Sequence, residues 1–172
     1  QMCIRDSDYS IANQAFEMVY FGLSASNSQR LYTYNLKNDA SSCLIDLSKE
    51  ILRDVTLGEV QDWNFVSAQG DTIYGRFYLP PHFDATKKYP MIVNYYGGTT
   101  PTARVMESRY PSHVYAGLGY IVYIIQPSGA TGFGQEFSAR HVNAWGKLTA
   151  DEIIEDTKKF CEEHSFVNTK KI

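Results

Sequence analysis

Serine, histidine and tyrosine are the side chains here with the spacing to attract attention, yet most arrangements they could form are missing. No G-x-S-x-G runs through the 172 residues, so the sharp strand-to-helix turn that presents a serine nucleophile is not written in them. His82, His113, His141 and His164 show no metal-ligand spacing. His82 follows two prolines and reads as solvated, and His164 reads as a core-edge residue on an apolar helix face. Gly129, Gly132 and Gly134 run G-x-x-G-x-G, the wrong order for a dinucleotide fingerprint, and no Walker motif occurs. Cys3, Cys43 and Cys161 are far apart, odd in number and free of C-x-x-C, which predicts free thiols rather than a zinc or redox site.

Two stretches remain. Met91–Tyr96 (MIVNYY) leads into Gly97-Gly98, and Gln126–Gly134 (QPSGATGFG) is a glycine-rich loop. Taken by itself, Tyr96 reads as an aromatic packing in the core, and the loop reads as a turn.

The elements that would position these residues fall into two regimes. Phe16–Leu23 and Arg30–Leu36 are aromatic and aliphatic runs around the polar turn 24–29, and Cys43–Leu47 follows, which is hairpin grammar. Short strands at this spacing suggest a sandwich, barrel or propeller blade. Trp63–Val66 and Thr72–Leu79 read as strands around Gln69-Gly70-Asp71, and Pro80-Pro81 ends the second. Beyond residue 90 the pattern alternates. Met91–Tyr96 is a buried-type strand, 108–118 a helix starting near Pro111, and Tyr120–Ile125 another buried strand. Residues 150–164 form a helix with one stripe of Ile153, Ile154, Thr157, Phe160, Cys161 and His164. Thr149 and Glu152 fit a capping box at its start. Phe166-Val167-Asn168 then turns the chain, and Lys171-Ile172 reads as the first step of a further strand. Residues 91–172 thus spell β-α-β-α-(β), the pattern of a parallel sheet with crossover helices, whose ligands sit at the carboxyl ends of the strands.

Bulk properties narrow the classes. A net charge of −3 gives no footprint for nucleic acid. No run of 18 apolar residues exists to span a membrane. Gln1–Ser7 resembles translated adaptor sequence and is set aside, a first hint of a partial chain.

Phe77–Asp84 (FYLPPHFD), Lys87–Pro90, Met91–Tyr96 and Gly97-Gly98 together resemble the entry into the peptidase domain of the prolyl oligopeptidase family, in its dipeptidyl-peptidase-like branch. Gln126–Gly134 is similar to that family's N-P-R-G-S-x-G-Y-G loop, with Ser128 in place of the arginine, which puts an ion pair of that loop in doubt. Trp145-Gly146, Asp151 and Asn168–Ile172 extend the resemblance, which covers residues 59–172. It implies a partial α/β-hydrolase domain (59–172) behind the last antiparallel strands of a β-propeller (8–58), and a serine peptidase cleaving peptides, often next to proline, without a cofactor. It also implies that serine, histidine and aspartate all lie beyond Ile172, so that the fragment itself is inactive. One catalytic element carries over: Tyr96 as an oxyanion-hole donor, with Tyr95 facing the opposite side as packing, the glycines leaving room to turn, and the 126–134 loop shaping the floor. Ser128 is not promoted to nucleophile, and Trp145 is read as packing. An esterase or acyl transferase, or a non-catalytic binding module, are the alternatives.

Overall fold

The computed structural model describes residues 9–144 and 146–172, so the adaptor-like Gln1–Ser7 and Trp145 lie outside the described residues. The described chain divides into two compact units, 9–56 with 104–111, and 57–103 with 112–172.

The first unit is a four-stranded antiparallel meander of β1 (Tyr9–Ile11), β2 (Glu17–Gly22), β3 (Arg30–Asn35) and β4 (Ala40–Asp46), in that order across the sheet. Aromatic residues opposite one another knit it, as in the Tyr20–Tyr32 pair with ring centroids 5.2 Å apart. Arg30 and Asp46 close β3 on β4 at 2.9 Å. A short helix not legible in the sequence, α1 (Ser48–Ile51), follows. Residues 104–111 pack here through the Met106 N–H, which donates to the Ser24 carbonyl at 2.8 Å, and through the Ser28–Glu107 hydrogen bond.

The second unit holds β5 (Val60–Val66), β6 (Thr72–Tyr78), β7 (Met91–Asn94), α2 (Ser112–Gly117), β8 (Ile121–Gln126), α3 (Gln135–Ala139) and α4 (Lys147–Glu163). The strand order is β5-β6-β8-β7. β7 and β8 are parallel, as a crossover through a helix requires, but β8 pairs antiparallel with β6, and β6 with β5. The expected parallel sheet is therefore a mixed one. The hairpin β5–β6, turned by Gly70 at φ +84°, supplies its antiparallel half.

β8 is buried along its whole length because it has a strand on each side and helices over its faces. Ile73, Phe77, Met91, Ile121, Tyr123, Ile125 and Phe160 form the core, with Phe160 of α4 stacked on Tyr123 at 4.2 Å. His164 stacks on Phe160 at 4.0 Å while its Nδ1 lies 2.8 Å from the Phe160 carbonyl, a core-edge placement at the end of α4.

Several boundaries differ from the sequence reading. α2 starts at Ser112 because Pro111 and the segment before it belong to the first unit. α3 follows the glycine loop unannounced. Asn168–Ile172 forms no strand. Instead Tyr89 bridges Val167 in parallel, and the Met91 N–H donates to the Lys171 carbonyl at 2.9 Å. α4 has neither the expected cap nor the expected face. Its N-cap is Gly146, and its buried residues are Thr149, Glu152, Ile153, Asp156 and Phe160, with Ile154 turned to solvent. Glu152 faces inward to Ser128, so no capping box with Thr149 forms.

Candidate active site

β7 ends at Asn94, two residues before the expected tip, so Tyr95 and Tyr96 stand on the loop that follows. Tyr95 is 50% exposed and Tyr96 54%. Tyr95 is therefore not the core-packing partner expected. It lines a cavity of about 270 Å³ with Gly97, Gly146, Thr149, Ala150, Ile153 and Ile154. Neither Gly97 nor Gly98 has a positive φ, so conformational freedom is not their role. Gly98 instead seats the Tyr96 ring: a Cβ there would stand 2.6 Å from Cε1 and 3.3 Å from the hydroxyl. Among the described residues the Tyr96 hydroxyl has no hydrogen-bond partner.

The loop after Tyr96 is fastened at three levels to the last residue of β8 and the segment that follows it. The fully buried Gln126 grips the Thr102 backbone on both sides: its Oε1 accepts from the Thr102 N–H at 2.9 Å, and its Nε2 donates to the Thr102 carbonyl at 2.6 Å. Thr131 donates its N–H (2.8 Å) and its hydroxyl (3.1 Å) to the Thr99 carbonyl. His141 Nε2 lies 3.2 Å from the Gly97 carbonyl.

Below the second loop sits the acid that sequence reasoning assigned to a cap. Glu152, 1% exposed, accepts from the Ser128 N–H at 2.9 Å and from its hydroxyl at 2.7 Å. Where the resemblance suggests an arginine, a serine thus satisfies a buried carboxylate with two neutral donors, and Ser128 is engaged as structure rather than as nucleophile. One turn on, Asp156 is fully buried and both its oxygens lie 3.0–3.1 Å from the Tyr123 hydroxyl. Burial raises the Glu152 carboxyl above its ordinary range, opposed by the Ser128 hydrogen bonds. Burial pushes Asp156 up to about 7, with the Tyr123 hydrogen bond pulling back. Tyr123 is itself raised far above a normal phenol by burial and by the neighbouring carboxylate. No residue-type pattern announces these two acids, since a carboxylate on an amphipathic helix ordinarily marks the wet face.

The remaining candidates are dispersed. His82 is exposed, with φ 57°. Cys43 is exposed and Cys161 half-buried, both free. Among the described residues no three His, Cys, Asp or Glu side chains cluster as a metal ion needs. Nor is any described helix long and apolar enough to cross a membrane.

Comparison with known proteins bears on this geometry. Residues 107–172 match the family model described as the prolyl oligopeptidase family. Dipeptidyl-peptidase 5 of Aspergillus fumigatus is 32% identical over 107 residues, 62% of this chain and 14% of that protein. Human dipeptidyl peptidase 8 is 28% identical over 127 residues, 70% of this chain and 14% of that protein. The chain therefore spans about one seventh of the length of the curated relatives it matches. The acylaminoacyl peptidase of Pyrococcus horikoshii superposes with a TM-score of 0.81 at 18% identity, over 98% of this chain and 26% of that one. That likeness shows the fold.

Proposed function

We propose, from the match of residues 107–172 to the prolyl oligopeptidase family, that the chain is the piece of a serine peptidase that joins the last strands of a β-propeller to the start of an α/β-hydrolase domain. In this reading residues 9–56 supply the propeller strands and the mixed sheet from Leu57 onward begins the hydrolase. Serine, histidine and aspartate lie in the part of the protein outside these 172 residues. Their contribution would be attack on the peptide carbonyl, proton transfer and orientation of the base.

This chain's contribution is charge stabilisation. When the carbonyl carbon becomes tetrahedral, its oxygen takes up negative charge, and a donor already fixed at that place stabilises it without reorganising. Tyr96 has the attributes needed. Its ring is seated on Gly98, its hydroxyl is uncommitted among the described residues, and it stands at the carboxyl end of a parallel strand, where α/β sheets place their ligands. That uncommitted hydroxyl carries the reading. In the complete protein Tyr96→Phe is expected to lower kcat about 10²–10³-fold with KM nearly unchanged, measured on a Gly-Pro-nitroanilide or an acyl-peptide substrate. Unchanged kcat would reduce Tyr96 to a surface aromatic. The 172-residue chain alone is expected to turn over neither substrate.

A further inference from the structure

Of the three ties that hold the loop after Tyr96, the one nearest Tyr96 is made by the side chain of His141. A carbonyl only accepts, so the 3.2 Å contact requires His141 Nε2 to carry the proton and donate to the Gly97 oxygen. The imidazole has a prepared place. Gly129 is at φ +94°, and a Cβ there would collide with His141 Nδ1 and Cγ, so the ring lies against the bare backbone of that residue. Gly129 is in turn held from both sides. Its N–H donates to the Phe137 carbonyl at 2.8 Å, and its neighbour Ser128 is fastened to Glu152.

The Gly97 carbonyl belongs to the peptide group that ends at the Gly98 Cα, and a peptide group is planar. Fixing that oxygen fixes the plane, and the plane sets the Gly98 Cα on which the Tyr96 ring rests. We propose that His141 is a positioning residue for Tyr96: by holding the Gly97 peptide it aims the phenol hydroxyl at the developing oxyanion. The inference rests on the oxyanion reading of Tyr96 and deepens it. Thr131 and Gln126 hold the same loop further from Tyr96, at Thr99 and Thr102, and cannot set the Gly97–Gly98 plane in the same way.

The test is a set of variants in the complete protein, with kcat and KM measured separately and folding checked by thermal melting. His141→Leu removes the donor and is expected to lower kcat about tenfold with KM within about twofold, since a misaimed donor loses less than an absent one. His141→Gln, whose Nε2 reaches as far and donates, is expected to restore most of the rate. In a Tyr96→Phe background, His141→Leu is expected to cost nothing further, because both act through one hydroxyl. Should His141→Leu fail to fold, His141→Asn, polar but too short to reach Gly97, replaces it with the same expectation. If Tyr96→Phe is slow while the His141 variants are as fast as wild type, the positioning role is overturned and the Tyr96 reading stands. An equal loss from His141→Leu with and without Tyr96 also overturns it. If Tyr96→Phe itself is fully active, the underlying reading fails, and the positioning role with it.

Discussion

Buried carboxylates at residues 152 and 156 make this molecule's stability depend on protons. Asp156 has its acid form favoured in the fold, with a value pushed up from 3.8 to about 7. The folded state then binds more protons than the unfolded chain between those limits, so stability falls as pH rises through that window. At about 1.4 kcal/mol per unit, the loss between pH 4 and pH 8 is on the order of 4 kcal/mol. Glu152, raised in the same sense by its burial, adds to it. Melting temperature is expected to decrease from pH 5 to pH 8, and Asp156→Asn to flatten that dependence. A melting temperature that climbs over this range would show the carboxylate to be fully accommodated as an anion. Sequence reasoning singled out Tyr96 only through the family-like run of residues around it, a phenol before a glycine pair. It could not place Glu152 or Asp156, whose partners, Ser128 and Tyr123, are distant in sequence and meet them only when β8 and α4 pack.

Among the elements, the two strands at residues 91–94 and 121–126 were legible because apolar β-branched runs have few other uses, although only the second is buried throughout and in the first only Met91 is. The phase of α4 was not. The stripe through Ile153, Ile154 and Thr157 is as good a helical face as the true one, and burial of the face carrying Glu152 and Asp156 is decided by hydrogen-bond partners on β8 and its loop. The antiparallel half of the sheet escaped for a related reason: strand direction is set by which neighbours meet, not by strand composition. Gly75 in β6 marks how close that meeting is. A Cβ there would collide with the Trp63 carbonyl on one side and the Tyr123 ring and hydroxyl on the other. Gly75→Ala is expected to destabilise by about 2–3 kcal/mol through overpacking, measured by urea unfolding. Because Tyr123 must shift, the Asp156 hydrogen bond is lost with it. A variant as stable as wild type would mean that β5 yields easily.

For the whole molecule, the contrast lies within each unit taken alone. The mixed sheet has a continuous core, whereas the first unit leaves Tyr9, Ile11, Val19, Phe21, Leu44 and Ile45 exposed. A four-stranded meander with that much apolar surface uncovered is a sheet that lacks a cover over that surface. The 172-residue chain is accordingly expected to self-associate, with its elution volume in size-exclusion chromatography depending on concentration. A monomer at every concentration would show that the exposed strands need no cover. Antiparallel strands were readable from turn spacing, but not the return of residues 104–111 to this sheet, which no local pattern encodes.

The bridge between Tyr89 and Val167 sets an order of events during synthesis. Tyr89 donates its N–H to Phe166 and accepts from Asn168, and Met91 donates to Lys171, so the entrance to β7 is fastened by residues made almost a whole unit later. Until the ribosome has released them, β7 has only β8 to hold it, and the strand that leads into the Tyr96 loop is secured on one flank. The loop so closed is long, and lengthening it further would add little entropic penalty. Its effect is on timing: the part of the chain proposed to stabilise charge is among the last of the second unit to be locked in place as the nascent protein folds.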